Sequence, residues 1–185
     1  MHIPDKISKW IRAKNWTLHE HQIRMFKSSE CSSQLLIAPT GSGKTLAGFL
    51  PTIADLYLNP SQKLHTLYIS PLKALASDIK RNLETPIKEL ELKISVEDRT
   101  GDTKQSIKKK QRVIPPNILL TTPESLALLM SYPEAPSIFS SLKRIIVDEI
   151  HAITESKRGD QLFLAISNIR KYCLDAKIIG LSATV

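Results

Sequence analysis

Leu35-Leu36-Ile37-Ala38-Pro39-Thr40-Gly41-Ser42-Gly43-Lys44-Thr45-Leu46 changes character twice within twelve residues, and the architecture can be built outward from it. Its first three residues form an apolar run too short for a globular helix. Beyond Lys44, the side chains Leu46, Phe49, Leu50 and Ile53 recur at the spacing of a helix face. Between run and helix lie two glycines that let backbone N–H groups wrap an anion, while the helix starting near Lys44 turns its positive end toward the same point. Ala38 to Thr45 fits the phosphate-binding loop, with alanine where the strict pattern has glycine. Pro39, Thr40, Gly41, Ser42 and Gly43 form the cradle, Lys44 reaches the β- and γ-phosphates of a nucleotide, and the Thr45 hydroxyl is a ligand for Mg²⁺.

Four more apolar runs of the same kind follow: Leu67-Tyr68-Ile69, Ile118-Leu119-Leu120, Ile145-Ile146-Val147 and Ile178-Ile179, with a weaker sixth at Leu92 to Val96. Being apolar at consecutive positions, they read as strands buried on both faces, as in a parallel sheet. Helical spacing recurs at Ile3, Ile7, Trp10 and Ile11, at Leu72, Leu75, Ile79 and Leu83, and at Leu162, Phe163, Ile166 and Ile169. Strands alternating with helices predict a three-layer α/β domain over 1–185, with a mostly parallel sheet, helices on both faces and a helical lead-in over 1–30. Residues 104–112 read as a polar, basic connection, and Pro115-Pro116 and the Pro133 to Pro136 region as turns. Ligands of such sheets bind beyond the carboxyl ends of the strands, and each run here leads into a small or charged cluster.

One cluster is Asp148-Glu149-Ile150-His151. Two adjacent carboxylates at a strand end are expected to diverge, because a strand alternates its side chains. Asp148 then suits the Mg²⁺ shell and Glu149 the positioning and deprotonation of an attacking water.

Composition narrows the classes. The chain has 185 residues, 42% hydrophobic and 24% charged, which excludes wholesale disorder and a fibrous chain. No apolar stretch approaches the roughly 18 residues that cross a bilayer, and the N-terminus lacks the blocks of a signal peptide, so no membrane partner and a cytoplasmic setting are expected. Cys31 and Cys173 make neither a disulfide scaffold nor a zinc pair. His19 and His21 lack the spacing of a zinc helix. The net charge of +8 favours a polyanionic partner.

In their order, these motifs resemble the DEAD/DEAH-type superfamily 2 helicases, and the chain is similar to their first RecA-like domain. Ala38 to Thr45 matches motif I, Ser70-Pro-Leu-Lys-Ala-Leu-Ala76 motif Ia, Thr121-Thr-Pro-Glu-Ser125 motif Ib, Asp148 to His151 motif II, and Ser182-Ala-Thr184 motif III. Leu18-His-Glu-His-Gln22, Thr100-Gly-Asp-Thr103 and Asp148-Glu-Ile-His-Ala-Ile153 followed by Lys157-Arg-Gly159 are similar to the large helicase-related (Lhr-type) branch. The short N-terminus resembles the ligase-associated DEXH-box proteins.

The resemblance implies Mg²⁺-dependent ATP hydrolysis that drives translocation or unwinding, with DNA as the nucleic acid, single-stranded or hybridised to RNA, and a repair setting. It implies that Gln22 reads the adenine, with Trp16 either stacking on the base or packing. It further implies that Ser182 and Thr184 hydrogen-bond toward motif II and couple nucleotide state to the strand-tracking surface, and that His151 bridges motif II toward motif III or the second domain rather than binding metal. Ser70, Pro71, Leu72 and Lys73, then Thr100, Gly101 and Asp102, then Thr121, Thr122 and Glu124 resemble backbone-contacting positions, whose hydroxyls and helix N-termini suit phosphate oxygens. The basic run Lys104, Lys108, Lys109, Lys110 and Arg112 is open between a solvated face and a nucleic-acid contact. Such helicases complete catalysis with arginines of a second RecA-like domain. None is found before Val185, so the chain is expected to be part of a longer protein and to hydrolyse ATP slowly, if at all, by itself. Two rival readings are a P-loop GTPase or kinase, against which the guanine-reading Asn-Lys-x-Asp is absent, and a nucleic-acid-binding scaffold with a vestigial ATPase.

Overall fold

The computed structural model describes residues 3–154 and 156–183. Six strands form one all-parallel sheet: β1 (Gln34–Ile37), β2 (Thr66–Ile69), β3 (Val96–Arg99), β4 (Ile118–Thr121), β5 (Arg144–Val147) and β6 (Lys177–Ser182), in the order β1-β6-β5-β2-β4-β3. The strands that end in β1 and β5, which lead into the phosphate loop and the acidic cluster, therefore flank β6.

Nine helices are described: α1 (Asp5–Ala13), α2 (Glu20–Ser28), α3 (Lys44–Leu58), α4 (Lys73–Glu89), α5 (Gln105–Val113), α6 (Pro123–Met130), α7 (Ala135–Phe139), α8 (His151–Thr154) and α9 (Lys157–Arg170). The pleat divides the sheet's side chains between two cores. Leu36, Tyr68, Leu120, Ile146, Ile179 and Leu181 pack with α1 to α4. Leu67, Ile69, Leu119, Ile145 and Val147 pack with α6, α7 and α9. That double burial is why the central strands read as unbroken apolar runs.

The edges differ from the expectation. At β1 only Leu36 is buried, and Leu35 and Ile37 are 61% and 43% exposed, so this run is covered on one face only. The opposite edge is β3, at Val96–Arg99 rather than Leu92–Val96. Its register with β4 sets Val96 opposite Ile118 and Arg99 opposite Thr121. Polar contacts hold it: Lys80 Nζ donates to Asp98 at 2.9 Å and Gln111 Nε2 to Glu97 at 2.9 Å. A strand paired through its backbone and salt-bridged at its side chains leaves no apolar run to find.

The basic stretch expected as a connection is helix α5. Lys108 is buried, its Nζ donating to the Gly101 carbonyl at 3.1 Å, and Arg112 lies over the Tyr132 ring, 4.1 Å from its centroid. Beneath them Arg99, 1% exposed, donates to the Lys108 carbonyl and to Gln111. Lys108 thus secures α5 to the loop after the edge strand, and Arg112 secures it to Tyr132. Pro136 lies inside α7 rather than in a turn.

Candidate nucleotide and nucleic-acid site

The loop after β1 turns on two residues with positive φ, Gly41 at 81° and Gly43 at 77°. Gly43 is also the N-cap of α3, and a Cβ there would lie 2.5 Å from Gln22 Nε2. A side chain is thus excluded both by conformation and by space. Lys44 is the first residue of α3, buried, and its Nζ donates to the Ala38 carbonyl at 2.7 Å. Ser42 Oγ is buried without a protein partner among the described residues.

Gln22 is 3% exposed. Its Oε1 accepts from the His19 N–H at 2.8 Å, closing a capping box at the start of α2, and its Nε2 donates to the Gly43 carbonyl at 3.1 Å. The amide thereby ties the lead-in to the phosphate loop. A cleft of about 730 Å³ opens beside it, lined among others by Trp16, His19, Gln22, Gly43, Thr45 and Phe49. Trp16 is 51% exposed and meets Trp10 edge-on at 5.4 Å.

Asp148 stands one residue past β5, its N–H donating to the Ile69 carbonyl at 2.9 Å. It is 4% exposed. Oδ1 accepts from the Glu149 N–H at 2.9 Å and Oδ2 from the Tyr68 hydroxyl at 2.6 Å. Burial, reinforced by the Asp148 charge, pushes the Tyr68 phenol far up, so it remains a donor. Glu149 has φ 47°, rare for a residue with a side chain. The two carboxylates part through this left-handed turn rather than through the pleat of a strand, which ends at Val147.

Strand β6 joins the two halves. Ala38 N–H donates to the Ser182 carbonyl at 3.1 Å and Ile150 N–H to the Leu181 carbonyl at 3.0 Å. His151 Nδ1 is 3.0 Å from Ser182 Oγ, in a hydrogen bond, and 3.4 Å from Glu149 Oε2. His151 thus bridges the acidic cluster and the end of β6. Thr184 lies outside the described residues.

The residues expected to face nucleic acid divide into two groups. Ser70, Thr100, Thr121 and Thr122 are at most 4% exposed, and their hydroxyls are engaged inside the domain rather than turned outward. Thr121 Oγ1 donates to the Arg99 carbonyl at 2.7 Å, Thr122 Oγ1 caps α6 by accepting from Ser125 N–H, and Thr100 Oγ1 accepts from Asp102 N–H. These side chains shape the loops. Lys73, Gly101 and Glu124 are on the surface: Lys73 pairs with Asp102 at 2.9 Å beside Gly101. Glu124 pairs with Arg158, which also donates to the Pro71 carbonyl at 2.8 Å. Arg158 thereby clamps the loops after β2 and β4. Burial alone would raise the Glu124 carboxyl, but the Arg158 hydrogen bond holds it below the usual range.

Tyr68 is absent from the motif reading, and Arg158 enters it only within Lys157-Arg-Gly159, with no contact assigned. A hydroxyl inside the apolar run Leu67-Tyr68-Ile69 was the available signal for Tyr68, since a buried phenol must find an acceptor. For the partners of Arg158 there was none, because they lie 34 and 87 residues away in sequence.

A magnesium triphosphate fits these residues. The unpartnered Ser42 Oγ, the side-chain-free curve at Gly43 and the start of α3 suit phosphate, and the Thr45 hydroxyl with the Asp148 carboxylate are hard oxygen ligands of the kind Mg²⁺ takes. No group of three or more His, Cys, Asp or Glu able to hold a metal occurs among the described residues.

An all-parallel α/β sheet with a phosphate loop and an Asp-Glu-Ile-His cluster on either side of one strand is the architecture of a RecA-like motor domain, and the chain belongs to the DEAD/DEAH box helicase family, whose model matches residues 19–185. Within it, the chain is 38% identical over 99% of its length to "ATP-dependent helicase Lhr-Core protein 2" of Thermococcus barophilus, and 40% identical over 97% to "ATP-dependent helicase Lhr-Core" of Methanocaldococcus jannaschii. Among solved structures, that of Mycobacterium smegmatis helicase Lhr bound to ssDNA and AMP-PNP superposes with a TM-score of 0.91, at 37% identity over 99% of this chain. The chain spans 23% of each of these two relatives and 25% of that structure.

Proposed function

We propose that this chain is the first RecA-like domain of an Lhr-type ATP-dependent helicase or translocase acting on DNA. The observation that carries the reading is the junction at β6, where the phosphate loop and the Asp148 to His151 cluster are bonded to successive residues of one strand. Support for DNA comes from the ssDNA in the Lhr structure that this domain matches. A repair role and a cytoplasmic setting complete the proposal, on the Lhr likeness and the sequence reading respectively.

In this reading the Lys44 ammonium exchanges the Ala38 carbonyl for β- and γ-phosphate oxygens, and backbone N–H groups from Gly41 to Thr45 hold the rest of the triphosphate. Bound Mg²⁺, held by Thr45 and Asp148, would neutralise charge that develops on the phosphates. Glu149 orients a water in line with the γ-phosphorus and takes its proton. His151, between Glu149 and Ser182, passes the state of the γ-phosphate to the end of β6. Gln22 holds the adenine side of the cleft to the loop. The arginines that complete the transition-state charge are assigned to a second RecA-like domain of the whole protein. The DNA strand is held by Lys73 and the loop backbones around Pro71, Gly101 and Thr122.

Titration with a fluorescent ATP analogue, paired with phosphate release from the whole protein, tests the roles. Lys44→Ala should weaken nucleotide binding at least tenfold. Glu149→Gln should bind within about twofold of the parent and lose roughly 10²–10⁴ in turnover, the range of general-base catalysis. Equal loss of binding in both variants would contradict the assignment.

A further inference from the structure

We infer that Tyr68 is a positioning residue for the metal-nucleotide: its hydroxyl fixes the plane of the Asp148 carboxylate against the helix that carries Lys44 and Thr45. The inference rests on the ATPase reading above. Tyr68 is fully buried in a strand whose other positions are apolar or a single threonine, where leucine or phenylalanine would fill the space as well. Register explains why the hydroxyl meets Asp148. Tyr68 is paired with Ile146. Asp148 lies two residues further along that line and so faces the same side of the sheet.

The 2.6 Å bond to Oδ2 and the Glu149 N–H at Oδ1 place one donor on each carboxylate oxygen. An ionised carboxylate has about four lone-pair sites. Two remain for a cation or its waters, and the two that are used set the rotation about Cβ–Cγ. The phenol is itself braced, its ring 5.4 Å from that of Phe49 in α3. Asp148 and Thr45, which arrive from opposite sides of β6, are thereby referred to one rigid body. Outer groups that orient a metal-ligating carboxylate are commonly worth 10–100-fold in metal affinity. A ring that merely fills space would be replaced by phenylalanine without consequence for the metal.

The test is the affinity for the fluorescent ATP analogue, measured in Mg²⁺ and in EDTA, for the parent, Tyr68→Phe, Asp148→Ala and the double variant. The parent should bind more tightly in Mg²⁺. Tyr68→Phe should lose about tenfold of that gain while binding as the parent does in EDTA, because the Tyr68 hydroxyl donates to Asp148 rather than to the phosphate loop. In the Asp148→Ala background the same change should have no further effect. A Mg²⁺ gain equal to the parent's, a loss of the same size in EDTA, or a loss that persists without Asp148 overturns the inference. A parent with no Mg²⁺ gain overturns both the inference and the reading beneath it. Should Tyr68→Phe fail to fold, 3-fluorotyrosine placed at position 68 of the parent supplies the readout. Its ¹⁹F resonance should shift when Mg²⁺ is added to the ATP complex, and an unmoved resonance counts against the proposal.

Discussion

Gly43 shows how much one residue can be asked to satisfy. It caps α3 at φ 77°, its carbonyl accepts from Gln22, and the space its Cβ would need is held by the same amide. Gly41 shares the positive φ, but nothing lies within 4 Å of where its Cβ would be. Alanine should therefore be tolerated better at 41 than at 43. Gly41→Ala should cost about 1 kcal/mol of stability from conformation alone, and Gly43→Ala more, with a several-fold loss of nucleotide affinity as Gln22 is displaced. Urea unfolding and nucleotide titration of the pair check this, and equal effects would refute the role of the Gln22 contact. Both glycines were legible in the motif. The engagement of Gln22 was not, because its partner is 21 residues away in sequence.

At the scale of elements, α3 is fastened at both ends. Its start carries the phosphate loop. Near its end, Asp55 accepts from His65 at 2.9 Å and from Arg144 at 2.9 Å, at the N-terminal edges of β2 and β5. The His65 hydrogen bond, helped by Arg144 and opposed by burial, holds the Asp55 carboxyl well below its ordinary range. A carboxyl lowered in the folded state contributes stability above its unfolded value, about pH 4, and the contribution fades as pH falls toward the folded value. The gap in urea midpoint between the parent and Asp55→Asn should accordingly be full at pH 6 and smaller at pH 3. A gap independent of pH would mean that Asp55 acts by shape alone. Helix α3 was legible from its apolar spacing. Helix α5 was not, because its polar face looks like a loop until Arg99 and Tyr132 are set beneath it.

Across the whole molecule the two ends of the sheet do different work. A cleft of about 810 Å³ at the N-terminal edge is lined by Asp55, His65, Arg144 and neighbours, with Asp55 paired to both His65 and Arg144. The carboxyl edge gathers the phosphate loop, the acidic cluster and the loops clamped by Arg158. That clamp is half exposed at both partners, at 45% and 51%, and an ion pair so placed is worth about 0–1 kcal/mol. Arg158→Ala should leave the melting temperature almost unchanged, yet weaken single-stranded DNA binding several-fold by freeing the loops after β2 and β4. A large drop in stability with unchanged DNA affinity would make Arg158 a structural tie only.

Strand-to-loop transitions, the parallel α/β class and the identities of Lys44, Thr45, Asp148 and Glu149 follow from local pattern, because backbone periodicity and phosphate-loop chemistry are written in neighbouring residues. Strand order, the polar edge β3, the uncovered face of β1 and the inward turn of Ser70, Thr100, Thr121 and Thr122 required the packed chain. Whereas the bridge from His151 to Ser182 was expected from the motif resemblance, the bond from Tyr68 to Asp148, which spans 80 residues, required it too. Contacts of that kind arise from sheet register and from the need of each buried polar atom for a partner, and neither is set until distant strands lie side by side.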